Sequence, residues 1–328
     1  MVLLKNAVLL LVLLCESCNS EHNFMITSGW YKAKKKSDKV VIKKAHSLGP
    51  DVIPRASTYI RIGGTVPVLP SGAIHDLVHL IDLKITSAVI EKVHAGAFQN
   101  LPKLSKLNLQ DNIIQDIPFG VFNKLNISVL FLNKNEISTI DRDAFDDMPN
   151  LTKIKLNSNK LSTWSSEWFK RTPRLGTILV RRNAIEEVHK YAFKNLATNE
   201  IKALNIYLSK NLIRTIHPQA FSGIAKWGDV FLDRNQLTQL EGDIFENVQS
   251  IRKLNLSRNN ISGISDNLFK TVRSVEMLDL TANHRLECVP VIVAKQVQKL
   301  QLENIRKLTC ACVSDLSNIT KLLGTEKC

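Results

Sequence analysis

Two histidines, His75 and His79 in the stretch HDLVH, have the four-residue spacing at which one helix face offers a metal two imidazoles. The glutamate of a zinc-protease helix is absent, so the pair is not read as a metal site. The chain has no glycine-rich phosphate loop and no G-x-S-x-G turn, and Ser, Asp and His are scattered as in any chain of this length. The expectation is a non-enzyme without cofactor or metal. The remaining reactive side chains are cysteines: Cys15 and Cys18 near the start, and Cys288, Cys310, Cys312 and Cys328 toward the end. Cys310 and Cys312 form a Cys-Ala-Cys that competes as a metal site, but in an exported chain an even set of four predicts two disulfides.

What positions every other side chain is a repeat. The stretch LSKLNLQDNIIQDIPFGVFNKL, residues 104–125, sets the pattern, and its Asn112 returns as Asn135, Asn159, Asn183, Asn211, Asn235, Asn259 and Asn283, at intervals of 23, 24, 24, 28, 24, 24 and 24. Leu107 and Leu109 alternate with Lys106, Asn108 and Gln110, which is the period of a short strand with one buried face. The Asn comes where the chain turns inward and can satisfy backbone groups that no strand ladder reaches. Phe122 recurs as Phe98, Phe145, Phe169, Phe193, Phe221, Phe245 and Phe269, so eight of twelve Phe predict an interior spine. One repeat cannot bury its apolar face alone; the coils must stack.

On these residues the chain resembles the extracellular leucine-rich repeat family of roughly 24-residue type, over about residues 56–312. The resemblance implies an α/β solenoid: a horseshoe with a parallel concave sheet, about ten coils, a mostly irregular convex side and a disulfide-bonded C-terminal cap. The expected division is a signal peptide at 1–20, a basic leader and N-terminal cap at 21–55, repeats at 56–296 and the C-terminal cap at 297–328. The coil that starts at Leu175 is four residues longer, with 194–202 expected to bulge away from the strands. Aligning Leu278 with Leu300 also aligns Cys288 with Cys310, one strand spacing apart, which predicts a Cys288 to Cys310 disulfide and, by elimination, Cys312 to Cys328.

The residue between the two buried strand positions faces out of the sheet. In order of coil it reads Lys84, Asn108, Phe131, Lys155, Leu179, Tyr207, Phe231, Asn255, Asp279 and Gln301. Phe131, Leu179, Tyr207 and Phe231 are expected to stand in water there, as anchors for a partner. Beside them Lys106, Lys153 and Arg181 toward the N-terminal half, and Asp229, Asp233 and Asp279 toward the C-terminal half, predict a charge gradient that orients it.

Residues 1–20 carry one Lys and an apolar run from Ala7 to Leu14, which reads as a secretory signal and is too short to span a bilayer. Five sequons, at Asn126, Asn150, Asn255, Asn260 and Asn318, are expected glycan acceptors, and a glycan on Asn255 would confine a large ligand to the coils before it. The leader from Glu21 to Arg55 is strongly basic and reads as a solvated arm, or as a patch for anionic glycans; Val40, Val41 and Ile42 within it are a candidate edge strand. A formal charge of +14 favours anionic partners, yet no nucleic-acid-binding motif accompanies it. The expected function is secreted, non-enzymatic binding of an extracellular protein by the concave face. A resemblance to secreted arthropod leucine-rich-repeat immune proteins points to innate immunity; matrix adhesion or modulation of a receptor pathway is the alternative, and glycan binding through the leader a third.

Overall fold

In each repeat, an outward residue flanked by two buried apolar residues marks the strand. The computed structural model describes residues 28–33, 36–40, 47–196 and 202–325. Fourteen strands form one sheet: β1 Ser28–Ala33, β2 Lys36–Val40, β3 Tyr59–Gly63, β4 Asp82–Ile85, β5 Lys106–Asn108, β6 Val129–Phe131, β7 Lys153–Lys155, β8 Thr177–Leu179, β9 Leu204–Tyr207, β10 Lys226–Phe231, β11 Ser250–Asn255, β12 Ser274–Asp279, β13 Val297–Gln301 and β14 Lys321–Leu323, with β2 outermost beside β1 and the rest following in chain order from β3. From β3 onward each strand pairs in parallel with the next, which gives about eleven stacked coils against the roughly ten read from the sequence, with the short β14 at the C-terminal edge. Among the described residues the opposite side holds two-residue strand pairs and short 3-10 turns, while α1 (Val291–Ala294) and α2 (Cys310–Ser317) belong to the C-terminal end. Among the described residues the α part of the expected α/β class is therefore confined to these two helices near the C-terminal end.

Two internal devices hold the coils in register. Each ladder Asn donates from Nδ2 to a carbonyl of its own coil and one of the preceding coil, and accepts at Oδ1 from a backbone N–H of the preceding coil. For Asn211 these are Leu208 O and Val180 O, both at 2.9 Å, and Ile185 N at 3.2 Å. The same triad recurs at Asn135, Asn235, Asn259 and Asn283. An interior solenoid turn has no strand neighbour for these groups, so the carboxamide supplies the partners that burial demands.

The second device is the aromatic spine. Phe98, Phe122, Phe145 and Phe169 stack with centroids 5.3–6.3 Å apart, and Phe193, Phe221, Phe245 and Phe269 continue at 4.9–5.8 Å. Between Phe169 and Phe193 the indole of Trp164 sits against both, 5.9 and 5.3 Å away, and fills the gap where the coil lengthens. Residues 197–201 of the expected bulge lie outside the described residues.

At the N-terminal end, β1 and β2 form an antiparallel hairpin whose β1 pairs with β3, so backbone of the basic segment extends the sheet over the first coil. Of the edge strand expected at 40–42, Val40 is the last residue of β2, and Val41 and Ile42 lie outside the described residues.

The disulfide pairing differs from the register prediction. Leu278 does pair with Leu300, and the 22-residue offset survives as far as Thr309, whose N–H donates to Glu287 O at 3.3 Å. There the chain leaves the extended path, because Thr309 caps α2 by accepting from Cys312 N. Residues two apart on a helix point roughly 200° apart. Cys310 thus faces solvent, while Cys312 turns inward and bonds Cys288, with Cα atoms 5.5 Å apart. Cys312 is not available to Cys328, which lies outside the described residues; Cys310 is itself disulfide-bonded.

Candidate protein-binding face

The column read from the sequence is a continuous cross-strand row. Lys84 pairs with Asn108, Asn108 with Phe131, and the row continues through Lys155, Leu179, Tyr207, Phe231, Asn255 and Asp279 to Gln301. Its two ends and its middle behave differently. Asn108, Asn255 and Asp279 curl forward and accept from the N–H two residues on, at 3.0 Å each, so they satisfy the strand's own end. Phe131, Lys155, Leu179, Tyr207 and Phe231 make no such turn and form the open face between them.

These five, with Lys153, Arg181, Asp229 and Asp233, are half-buried rather than standing in water. Neighbouring cations cover the rings. Lys155 Nζ lies 4.8 Å from the centre of Phe131, Arg181 lies 4.5 Å from that of Tyr207 and 5.7 Å from that of Phe231, and Lys253 Nζ lies 5.3 Å from that of Phe231. Tyr207 and Phe231 meet edge to face at 5.0 Å. The Tyr207 hydroxyl donates to Asp229 at 2.9 Å; burial, and then that carboxylate, push the phenol above its ordinary pKa and keep it a donor.

Asp229 is itself positioned by a bulge. Strands β9 and β10 shift register between Leu204 and Ile206, and the extra residue is Gly228. The Asn205 carboxamide fills the space over that glycine, accepting from Asp229 N at 2.9 Å and donating to Gly176 O at 3.0 Å. A Cβ on Gly228 would stand 2.2 Å from the Asn205 oxygen, which explains glycine here.

The three carboxylates of the expected acidic half each have a partner on the sheet, and that of Asp229 is a cation. Asp229 is paired with Arg252 at 2.7 Å as well as with Tyr207, Asp233 accepts from Ser209 Oγ at 2.6 Å, and Asp279 is turned onto Thr281 N. What sequence reasoning missed is the residue just before each ladder Asn. Lys134, Ser158, Arg182, Lys210, Arg234 and Arg258 all sit in the left-handed region, with φ of 56–58°. That turn aims each side chain off the strand end, so four successive coils from Arg182 to Arg258 carry a row of cations. Arg182 first, and then Arg234, press the Lys210 ammonium below its ordinary pKa. The signal was legible as the repeated pair of a cation and Asn at 134–135, 182–183, 210–211, 234–235 and 258–259.

This row and Phe231 border a cavity of about 500 Å³, lined among others by Asn157, Arg181, Lys210, Phe231, Asp233 and Arg234. His75 and His79 do not take part. His75 bonds Asp76 and Ser47, and His79 lies 3.4 Å from Lys103 Nζ. Of the sequon residues, Asn126 and Asn150 are hydrogen-bonded to each other on adjacent coils, Asn260 and Asn318 are exposed, and Asn255 is half-buried at the cavity wall.

Among solved structures, the glycosylated Toll–Spatzle complex, described as a molecular hub in Drosophila development and innate immunity, aligns with a TM-score of 0.66 at 17% identity, over 84% of this chain and 37% of that one. The TLR13–ssRNA13 complex aligns at 0.53 and 18% identity, over 76% and 42%. Osteomodulin of Bos taurus is 34% identical over 76 residues, 23% of this chain and 18% of that protein. Leucine-rich repeats and immunoglobulin-like domains protein 2 of Homo sapiens is 32% identical over 66 residues, 20% and 6%. The chain thus matches less than a fifth of either relative's length. The family model described as Leucine rich repeat matches at residues 66–114, 102–161, 125–185 and 229–284, more than half of the sequence. With the stacked parallel strands and the asparagine ladder, that match makes this chain a member of the leucine-rich repeat family.

Proposed function

We propose that the chain is a secreted, non-enzymatic recognition protein that holds another extracellular protein against the open face of its sheet. The observation that carries this is the Tyr207 and Phe231 pair, clamped by Arg181 and Lys253 beside a row of cations. Such a site fits a partner surface with an apolar side chain for the rings and carboxylates for Arg182, Lys210, Arg234 and Arg258. Phe131, Lys155 and Leu179 extend the contact toward the N-terminal coils, with Lys153 beside them. Asp229 and Asp233 then act mainly as orienting groups for Tyr207 and the cations. The sequence signal for export, five sequons and a disulfide in the C-terminal end support an extracellular setting, and among the described residues no helix is long and apolar enough to cross a membrane. The complex that shares this fold is named for both development and innate immunity, so a defence role and the modulation of a receptor pathway both fit this reading. A glycan on Asn255, at the cavity wall, would limit how far a partner extends toward the C-terminal coils.

The double variant Tyr207→Ala/Phe231→Ala tests the reading. Central aromatic anchors typically carry 2–4 kcal/mol each, so affinity for a partner recovered with the glycosylated protein from its native fluid should fall at least about 30-fold while the folded signal is retained. Unchanged recovery by the double variant would remove the open face as the site.

Anionic-glycan binding is the second reading, favoured by the cation row. The leader at 21–55 and the row make separable predictions on a heparin column. Lys210→Glu/Arg234→Glu should elute at clearly lower salt if the row is the site, and deletion of 21–55 should do so if the leader is. Elution of both variants with the wild type would discard this reading.

A further inference from the structure

On the side away from the sheet, strands Glu187–Val188 and Thr215–Ile216 pair in parallel, and the ladder runs one step further as His217 N donates to Val188 O at 2.9 Å. That step brings His189 alongside His217, with ring centres 5.3 Å apart. Glu187 faces both: its Oε2 lies 3.2 Å from His217 Nε2 and 3.5 Å from His189 Nδ1. We propose that Glu187, His189 and His217 form a binding site for a divalent transition-metal ion of the zinc class.

The geometry suits that ion. A tetrahedral zinc with ligand distances near 2.0–2.1 Å requires its donor atoms roughly 3.3 Å apart. The two measured separations lie at that value, and all three donors fall within 4.8 Å of one another. Two imidazoles with one carboxylate are borderline donors that favour Zn²⁺, Ni²⁺ or Cu²⁺ over Mg²⁺ or Ca²⁺. Glu187 brings the negative charge that offsets part of the ion's. Three protein ligands leave one position for water, and the exposure of His189 and Glu187 gives the ion an open path in and out. The site therefore binds reversibly rather than as a permanent structural centre.

Its place in the repeat gives the binding a consequence. Glu187 and His189 belong to the coil of Asn183 and His217 to the coil of Asn211, across the 28-residue interval where every other interval is 23 or 24. A bound ion would tie together the two coils whose connection is longest, and add to folded-state stability by mass action.

Isothermal titration of the full chain with zinc chloride tests the site. The expected result is one equivalent of zinc bound with micromolar affinity, weakened at least about tenfold in His217→Ala and in His189→Ala. All three side chains are at the surface, so the variants should keep the wild-type circular dichroism. No zinc uptake at micromolar concentration by the wild type, or equal uptake by a His189→Ala/His217→Ala double variant, would overturn the proposal.

Discussion

Phe193→Ala is expected to destabilise the folded chain by about 3–5 kcal/mol, the usual cost of removing a fully buried ring. The ring of Phe193 has no exposure and touches three others, with centroids 5.1 Å from Phe221, 5.2 Å from Trp227 and 5.3 Å from Trp164. Its loss leaves a void in the longest coil, where neighbouring backbone is already committed to the asparagine ladder and has little room to collapse. Phe231→Ala is the matched control: the same substitution on the half-buried outer face should cost far less stability, while reducing partner binding. Denaturant midpoints of the two variants decide the matter. Equal shifts would mean that the interior spine and the outer row are not energetically distinct.

That contrast states what was legible in the sequence. Phe122 and Phe131 are the same residue nine positions apart, and only the period separates them: one falls in the apolar turn, the other between two strand leucines. Strand register followed directly, because a one-residue slip would turn every buried leucine outward. The outward column was therefore readable residue by residue, from Lys84 to Gln301. Its chemistry was less so. Charges were assigned by side, whereas Asp229, Asp233 and Asp279 are each occupied by a neighbour on the sheet, through contacts with Tyr207, Ser209 and Thr281. Pattern reading counts a carboxylate as free when the fold has already used it.

Other differences arise where the repeat stops governing the backbone. The cation row lies at a turn residue with positive φ, outside the alternation that defines inward and outward, so period-two logic gave it no direction. Cys310 and Cys312 lie just past the point where a capped helix replaces the strand path, and a register argument that assumes extended chain assigns them the wrong partners. His189 and His217 are 28 residues apart, an interval that looks irregular in the sequence and becomes direct juxtaposition only because the coil between them is the long one.

Asn211→Leu is expected to cost about as much as Phe193→Ala, although the two side chains it exchanges are similar in size. The carboxamide serves Val180 O, Leu208 O and Ile185 N, and leucine leaves all three facing methyl groups. An unsatisfied buried group costs about 1–3 kcal/mol, and since the three share one site the expected sum is about 3–5 kcal/mol rather than the full arithmetic total. Burial sets the scale: Asn211 is 5% exposed, whereas Asn159 is only half-buried, so water can replace part of what Asn159→Leu removes. The Asn159 variant should therefore lose clearly less. Because a solenoid is held together by nearest-neighbour interfaces, the damage should also be local at first. Amide hydrogen exchange should quicken around Val180, Ile185 and Leu208 before it does in the coils near Leu107 or Leu278. Tyr207 and Arg181 stand on the two coils that Asn211 joins, so the same variant should weaken partner binding without altering any residue that touches the partner. Exchange that accelerates uniformly along the chain would instead mean that the whole solenoid unfolds as one unit, and that the ladder stabilises it globally.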